Sequence, residues 1–277
     1  MAFTDDKMAV LQINTLDGAG GAAAVARRIT DELRARGYSC DMLVGSKQTT
    51  ACFVHTFDHG INQSTADHCW HNGLLYYEYQ GSHQLISHPA VQHAGLLHFH
   101  NLHGGYFNPF SLALLSNTKP SIWTLHDMQP LTGHCAHSFG CGRWVTGCHT
   151  CPALDTYPGV LTGSTHLLWQ HKKAIYDESL LTVVVPSEWL RRKVQCSILS
   201  GHPLELICNG VDTDVFRPTA MHKARKALGL PADCFLIGAV ADFGPTANPW
   251  KGGEYAMRAM EAVWSRWPDA YYLDIGA

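Results

Sequence analysis

The chain has 277 residues, 46% hydrophobic and 16% charged, with 20 Lys and Arg against 23 Asp and Glu. That length allows one large domain or two smaller ones, and the balance of apolar over charged residues excludes a disordered chain. A formal charge of −3 leaves no surplus of cations for phosphate backbones, so nucleic acid is not an expected partner.

The opening "MAFTDDKMAVLQIN" carries acids where a leader peptide would carry basic residues, and no apolar run approaches the roughly 20 residues that cross a bilayer. A cytosolic setting is expected, in which the ten cysteines serve as thiols or metal ligands and not as disulfides. Residues 8–14 form a short apolar run leading into "TLDGAGG", after which Val25, Ile29 and Leu33 recur at helical spacing. Gly37 stops that helix and "YSCDMLV" returns to an extended run, which completes a strand-helix-strand unit with a right-handed crossover. Further buried strands are expected at 95–101, 120–127, 180–187 and 204–210, with helices at 109–118 and 187–197. The whole predicts an α/β fold: a mostly parallel, Rossmann-like sheet with helices on both faces and its ligand beyond the carboxyl ends of the strands.

After "NGVDTDVFRP" the pattern restarts, with a helix at "KARKALGL", a strand at "CFLIGAV", a helix in "GGEYAMRAMEAVWSRW" and a strand at "AYYLDIGA". The expected organisation is an N-terminal domain over 1–208, a linker over 209–218 and the start of a second Rossmann-like domain over 219–277. Some 60 residues are too few for a complete doubly wound domain, so the chain reads as a fragment.

Polar residues collect where the strands end. Gly18, Gly20 and Gly21 follow the first strand and offer N–H groups at a helix N-terminus, which suits a diphosphate or serves a plain tight turn. The spacing is not G-x-G-x-x-G, so the dinucleotide fingerprint fails. In "HFHNLHGG", His98 and His100 share one strand face, an arrangement open to a metal pocket, a sugar-binding cleft or structural histidines. In "WTLHD", His126 is placed to donate a hydrogen bond or act as acid or base, with Asp127 facing the other way, unless the pair merely caps a strand end. Residues 124–152 then hold Cys135, Cys141, Cys148 and Cys151, spaced C-x5-C-x6-C-x2-C. A structural zinc on those four thiolates is the first choice, with disulfides or free thiols as alternatives. The acids of "DTD" at 212–214 read as turn residues, and Glu254 and Glu261 as a solvated helix face.

With those residues in view, the sequence resembles the retaining glycosyltransferases of GT-B fold in the glycogen-synthase-like family 4. The segments that carry the resemblance are "GAGGAAAVARRITDELRARGY", "HFHNLHGG", "WTLHDMQPLTGHC", "VVVPSEWL", "NGVDTDVFRP" and "WKGGEYAMRAM". The third, followed by more cysteines, is similar to enzymes of bacterial surface-polysaccharide assembly. The resemblance implies transfer of a sugar from a nucleotide-diphosphate donor to a hydroxyl of a glycan or lipid-linked acceptor, with retention. It implies that Gly20 and Gly21 lie under the donor diphosphate, that His126 faces the donor sugar, and that Lys251 stabilises the leaving diphosphate. His100, Asn101 and His103 would line the acceptor side, no metal cofactor would be needed for catalysis, and a lipid-linked acceptor would bring the enzyme to the inner membrane face. Two departures stand out: the basic residue that such enzymes carry shortly before the Lys-Gly pair is absent from "AVADFGPTANPWKGG", and no E-x7-E pair is present. The 277-residue piece is therefore expected to be a weak or inactive catalyst.

The same residues define two rivals. One is a zinc-binding interaction module without catalysis, and the other a metal-dependent hydrolase built on His98, His100, His103 and His126. Neither accounts for the restarted second domain.

Overall fold

A computed structural model of the chain describes residues 8–241, 244, 246 and 249–276. The chain divides into two compact units between Gly210 and Val211. In the first unit, β1 (Val10–Leu16), β2 (Cys40–Ser46), β3 (Val54–Thr56), β4 (Leu96–Phe99), β5 (Ser121–Thr124), β6 (Thr182–Val185) and β7 (Leu204–Leu206) form one seven-stranded sheet. Its order is β3-β2-β1-β4-β5-β6-β7, and every neighbouring pair is parallel. Apolar runs such as "VLQINTL" and "TVVV" give strands covered on both faces, as parallel sheets require. Leu11, Ile13, Leu43, Leu97, Phe99, Trp123, Val183 and Val185 are fully buried in one contiguous core.

The register fixes what the strand ends deliver. Ile13 pairs with Leu43 on one side and with Phe99 on the other, so the residues just beyond Ile13 and Phe99 emerge side by side. The strand order reverses direction between β1 and β4, and a crevice for ligands opens at such a switch point. The helices are α1 (Gly21–Ala35), α2 (Gln63–His71), α3 (Pro89–His93), α4 (Phe110–Ser116), α5 (Thr165–Asp177) and α6 (Glu188–Gln195). The start of α6 is capped by Ser187, whose hydroxyl accepts from the Leu190 N–H, a contact of about 1 kcal/mol. The start of α1 has no side-chain cap; Gly20 precedes it with φ of 89°, a backbone setting that only glycine adopts cheaply.

The short edge strand β3 and the helices α2, α3 and α5 were not among the elements expected from the sequence. In α2 only Cys69 is buried, so its apolar stripe is too thin to read. The second unit contains α7 (Met221–Ala227), β8 (Leu236–Val240), α8 (Gly253–Arg266) and β9 (Tyr271–Ile275), with β8 and β9 parallel in a two-stranded sheet. Among the described residues no helix is long and apolar enough to cross a membrane.

Candidate active site

At the switch point, side chains from β1 tie down the segment that follows β4. Asn14 Oδ1 accepts from the Asn101 N–H at 3.1 Å while its Nδ2 donates to Leu16 O at 2.7 Å. Thr15 Oγ1 donates to His103 O at 2.8 Å and lies 3.2 Å from Asn101 O. Next along the chain, the buried Asp17 accepts from the N–H groups of Gln48 and Thr49 and from the Thr49 hydroxyl. Burial opposes its charge, but those bonds prevail and hold its carboxyl below the usual range. Gln48 in turn accepts from the Ala19 N–H at 2.8 Å, which fixes the turn that presents Gly20 and Gly21. A Cβ on Gly20 or Gly21 would meet nothing within 4 Å, so the space over this helix start is open.

The histidines do not scatter. His100, 1% exposed, lies 2.9 Å from His126 through Nδ1 and 2.8 Å from Gln12 Oε1 through Nε2. His98 meets the Thr124 hydroxyl at 2.8 Å, and its ring lies 4.3 Å from that of His100. Asp127 turns to another partner: its Oδ2 accepts from His103 Nε2 at 2.8 Å and its Oδ1 from the Gln129 N–H. The Nδ1 of His103 is buried without a partner among the described residues. Burial, and then the neighbouring His126, push His98 down to about 4. Burial also lowers His126 to about 4, with Asp127 opposing and His103 adding to the shift. His100 is lowered further by burial and by the two rings beside it. All three are neutral at pH 7. His100, expected on an acceptor surface, is buried against His126 and Gln12.

The cysteine-rich loop after β5 is tied down by hydrogen bonds from α5. Cys135, Cys141, Cys148 and Cys151 are free thiols. Among the described residues no group of three or more His, Cys, Asp or Glu is arranged to hold a metal ion, so neither the zinc expectation nor the metallohydrolase and zinc-module rivals gain support. Burial pushes the Cys135 thiol up and Cys148 up to about 11. The brace is Lys172 on α5, 1% exposed, whose ammonium donates to Gln129 O and Thr132 O. Burial lowers Lys172 to about 7, against the pull of Cys148, Cys135 and Asp127. Tyr176 and Thr165 add hydrogen bonds to Pro130 O and Cys148 O, and Trp169 to Trp144 O. His134 donates through Nδ1 to Pro158 O at 2.9 Å, which closes the loop on itself.

Beside the His103–Asp127 pair lies a groove of about 390 Å³, lined among others by Trp70, Tyr76, Tyr79, Gly104, Gly105 and Tyr157. Tyr157 sets its ring edge-on to His103, with centroids 5.8 Å apart. Through that ring the groove touches the His103–Asp127 pair. In the second unit, Lys251 closes a short turn over Pro249–Lys251, and Gly252 then takes a left-handed φ of 74° to start α8. The stretch just before it, where the resemblance looks for a further basic residue, lies largely outside the described residues.

A doubly wound parallel sheet with an open helix start at its switch point defines a Rossmann-like domain of GT-B type. The chain belongs to Glycosyltransferase Family 4, whose family model matches residues 19–215. It is 28% identical over 223 residues to the Escherichia coli (strain K12) protein named "Putative colanic acid biosynthesis glycosyl transferase WcaC". That match covers 74% of this chain and 55% of the relative, so the chain spans about half the length of the curated relative it matches.

Proposed function

We propose that the protein transfers a sugar, with retention, from a nucleotide-diphosphate donor to a hydroxyl of a glycan or lipid-linked acceptor in surface-polysaccharide assembly. The observation that supports this reading is that His126 and the open start of α1 both follow carboxyl ends of strands in one parallel sheet, and that Gly104 and Gly105, just after β4, line an aromatic groove. The relative's name, which refers to colanic acid biosynthesis, supplies the biological direction.

In this reading the N–H groups behind Gly20 and Gly21 receive the donor diphosphate and His126 meets the donor sugar. The sugar's bond to the diphosphate oxygen breaks, a bond from the same carbon to the acceptor oxygen forms on the same face, and the acceptor hydroxyl's proton passes to the departing diphosphate. Asn101 and His103 serve the acceptor side, with the rings of Trp70 and Tyr157 as a platform for a pyranose. Trp70 is 54% exposed and Tyr157 52%, so both rings are open to a ligand.

The test is a panel of sugar nucleotides offered to the complete protein with lipid-linked and soluble glycan acceptors, the anomeric configuration of the product being read by NMR. Retention is expected, with His126→Ala lowering kcat about 10²-fold or more. Trp70→Ala should raise the acceptor KM about tenfold while sparing donor hydrolysis. Inversion of the anomeric centre, or turnover that ignores His126, would reject the reading.

A further inference from the structure

We infer that Gln12 and His100 are positioning residues that fix the tautomer of His126, with the proton on Nε2 and a bare lone pair on Nδ1. Each proton has a fixed place along a chain of three side chains, Gln12, His100 and His126. Gln12, in the centre of β1, is fully buried, and its amide nitrogen faces Cys40 Sγ at 3.8 Å, which leaves Oε1 toward His100. A carbonyl oxygen only accepts, so His100 carries its proton on Nε2 and donates at 2.8 Å.

His100 is buried among imidazoles and neutral, and so has one ring proton. Its Nδ1 is then an acceptor, and the 2.9 Å contact requires His126 to donate from Nε2. His126 is neutral as well, so its Nδ1 carries no proton. A ligand that meets this nitrogen must bring a hydrogen-bond donor, which a sugar hydroxyl supplies and a phosphate or carboxylate oxygen does not.

The frame is rigid enough to hold this order. The His100 N–H donates to Ile13 O at 2.9 Å and Trp123 Nε1 donates to His100 O at 2.8 Å, so the main chain of His100 is fixed on both sides. Rotating the Gln12 amide would reverse every proton in the chain and present an N–H on His126 Nδ1 instead. One side chain in the middle of the sheet therefore sets which kind of group the site accepts.

The inference takes its functional meaning from the sugar-transfer reading, but its test does not depend on turnover. The full chain, labelled with ¹⁵N-histidine, is examined at neutral pH by two-bond proton–nitrogen correlation, with His126→Asn assigning the signals. The expected spectrum shows His100 and His126 both protonated on Nε2, one-sided by roughly tenfold from the buried hydrogen bonds. Gln12→Met, which keeps the volume and removes the acceptor, should let His126 drift toward the mixture of a free imidazole. A proton on His126 Nδ1 in the unaltered protein, or an unchanged tautomer in Gln12→Met, overturns the inference. Should the variant fail to fold, the spectrum of the unaltered protein decides alone. A chain that transfers sugar with His126 protonated on Nδ1 rejects the relay only; one with the relay intact that uses no sugar nucleotide rejects the glycosyl-transfer reading only.

Discussion

The strand-end histidines and the cysteine loop are both dense in side chains that bind metals, yet they are held in opposite ways. In the first, side chains satisfy one another: Gln12, His100 and His126 form one chain, and His103 pairs with Asp127. In the second, Cys148 Sγ accepts from the Gly133 N–H, and a lysine from α5 gathers main-chain carbonyls of the loop. Ligand-type residues close in sequence thus differ in what they mark: the histidines are ordered by one another and by Gln12 and Asp127, and the cysteines lie in a loop ordered by a helix beside it. The imidazoles have specific side-chain partners, whereas the loop's main-chain carbonyls are met by side chains of α5.

The contrast can be broken most forcefully at Lys172. Lys172→Ala removes two donors and most of a buried side chain, and a loss of about 2–5 kcal/mol is expected by denaturant unfolding. A loss close to that of an exposed lysine would show that the loop holds itself. Acid should discriminate next. The folded pKa values of His98 and His126, about 4, lie below the ordinary 6.5. Between those values the unfolded chain binds more protons, so the stability is present above pH 6.5 and is lost as the pH falls toward 4. Unfolding midpoints measured across that window check the sign, and a rise in stability on acidification would mean that the histidines are charged when folded. Cys135→Ser and Cys148→Ser should each cost only about 1 kcal/mol in thermal melts. Smallest of all, a chelator should leave Tm unchanged; a marked drop would restore a metal to the loop and erase the distinction.

Much of the sheet was legible because β1, β2, β4, β5 and β6 are apolar runs bounded by Gly, Pro or polar residues. The helix α5 was missed, although "THLLWQHKKAIYD" has apolar residues at helical spacing, and with it went the lysine that organises the loop. Burial of a charged residue leaves no trace in local sequence, since Lys172 reads as one of two adjacent lysines on a polar face. The site was half legible. Period-2 alternation correctly placed His98 and His100 on one face, but their distance from solvent depends on Gln12, which lies in another strand. Nothing in "VLQIN" announces that its glutamine sets a proton order.

The place of β1 in the middle of the sheet bears on how the protein is made. Gln12 and His100 are 88 residues apart, and Asn14 and Asn101 are 87 apart. A ribosome at about 5–20 residues per second delivers the first partner several seconds before the second. During that interval β1 can pair with β2 but offers its other edge unpaired, with a buried-type glutamine still in water. The emerging chain is therefore most open to chaperones and to aggregation before β4 arrives, and shortening the wait between these two strands should raise soluble yield without altering any contact in the finished fold.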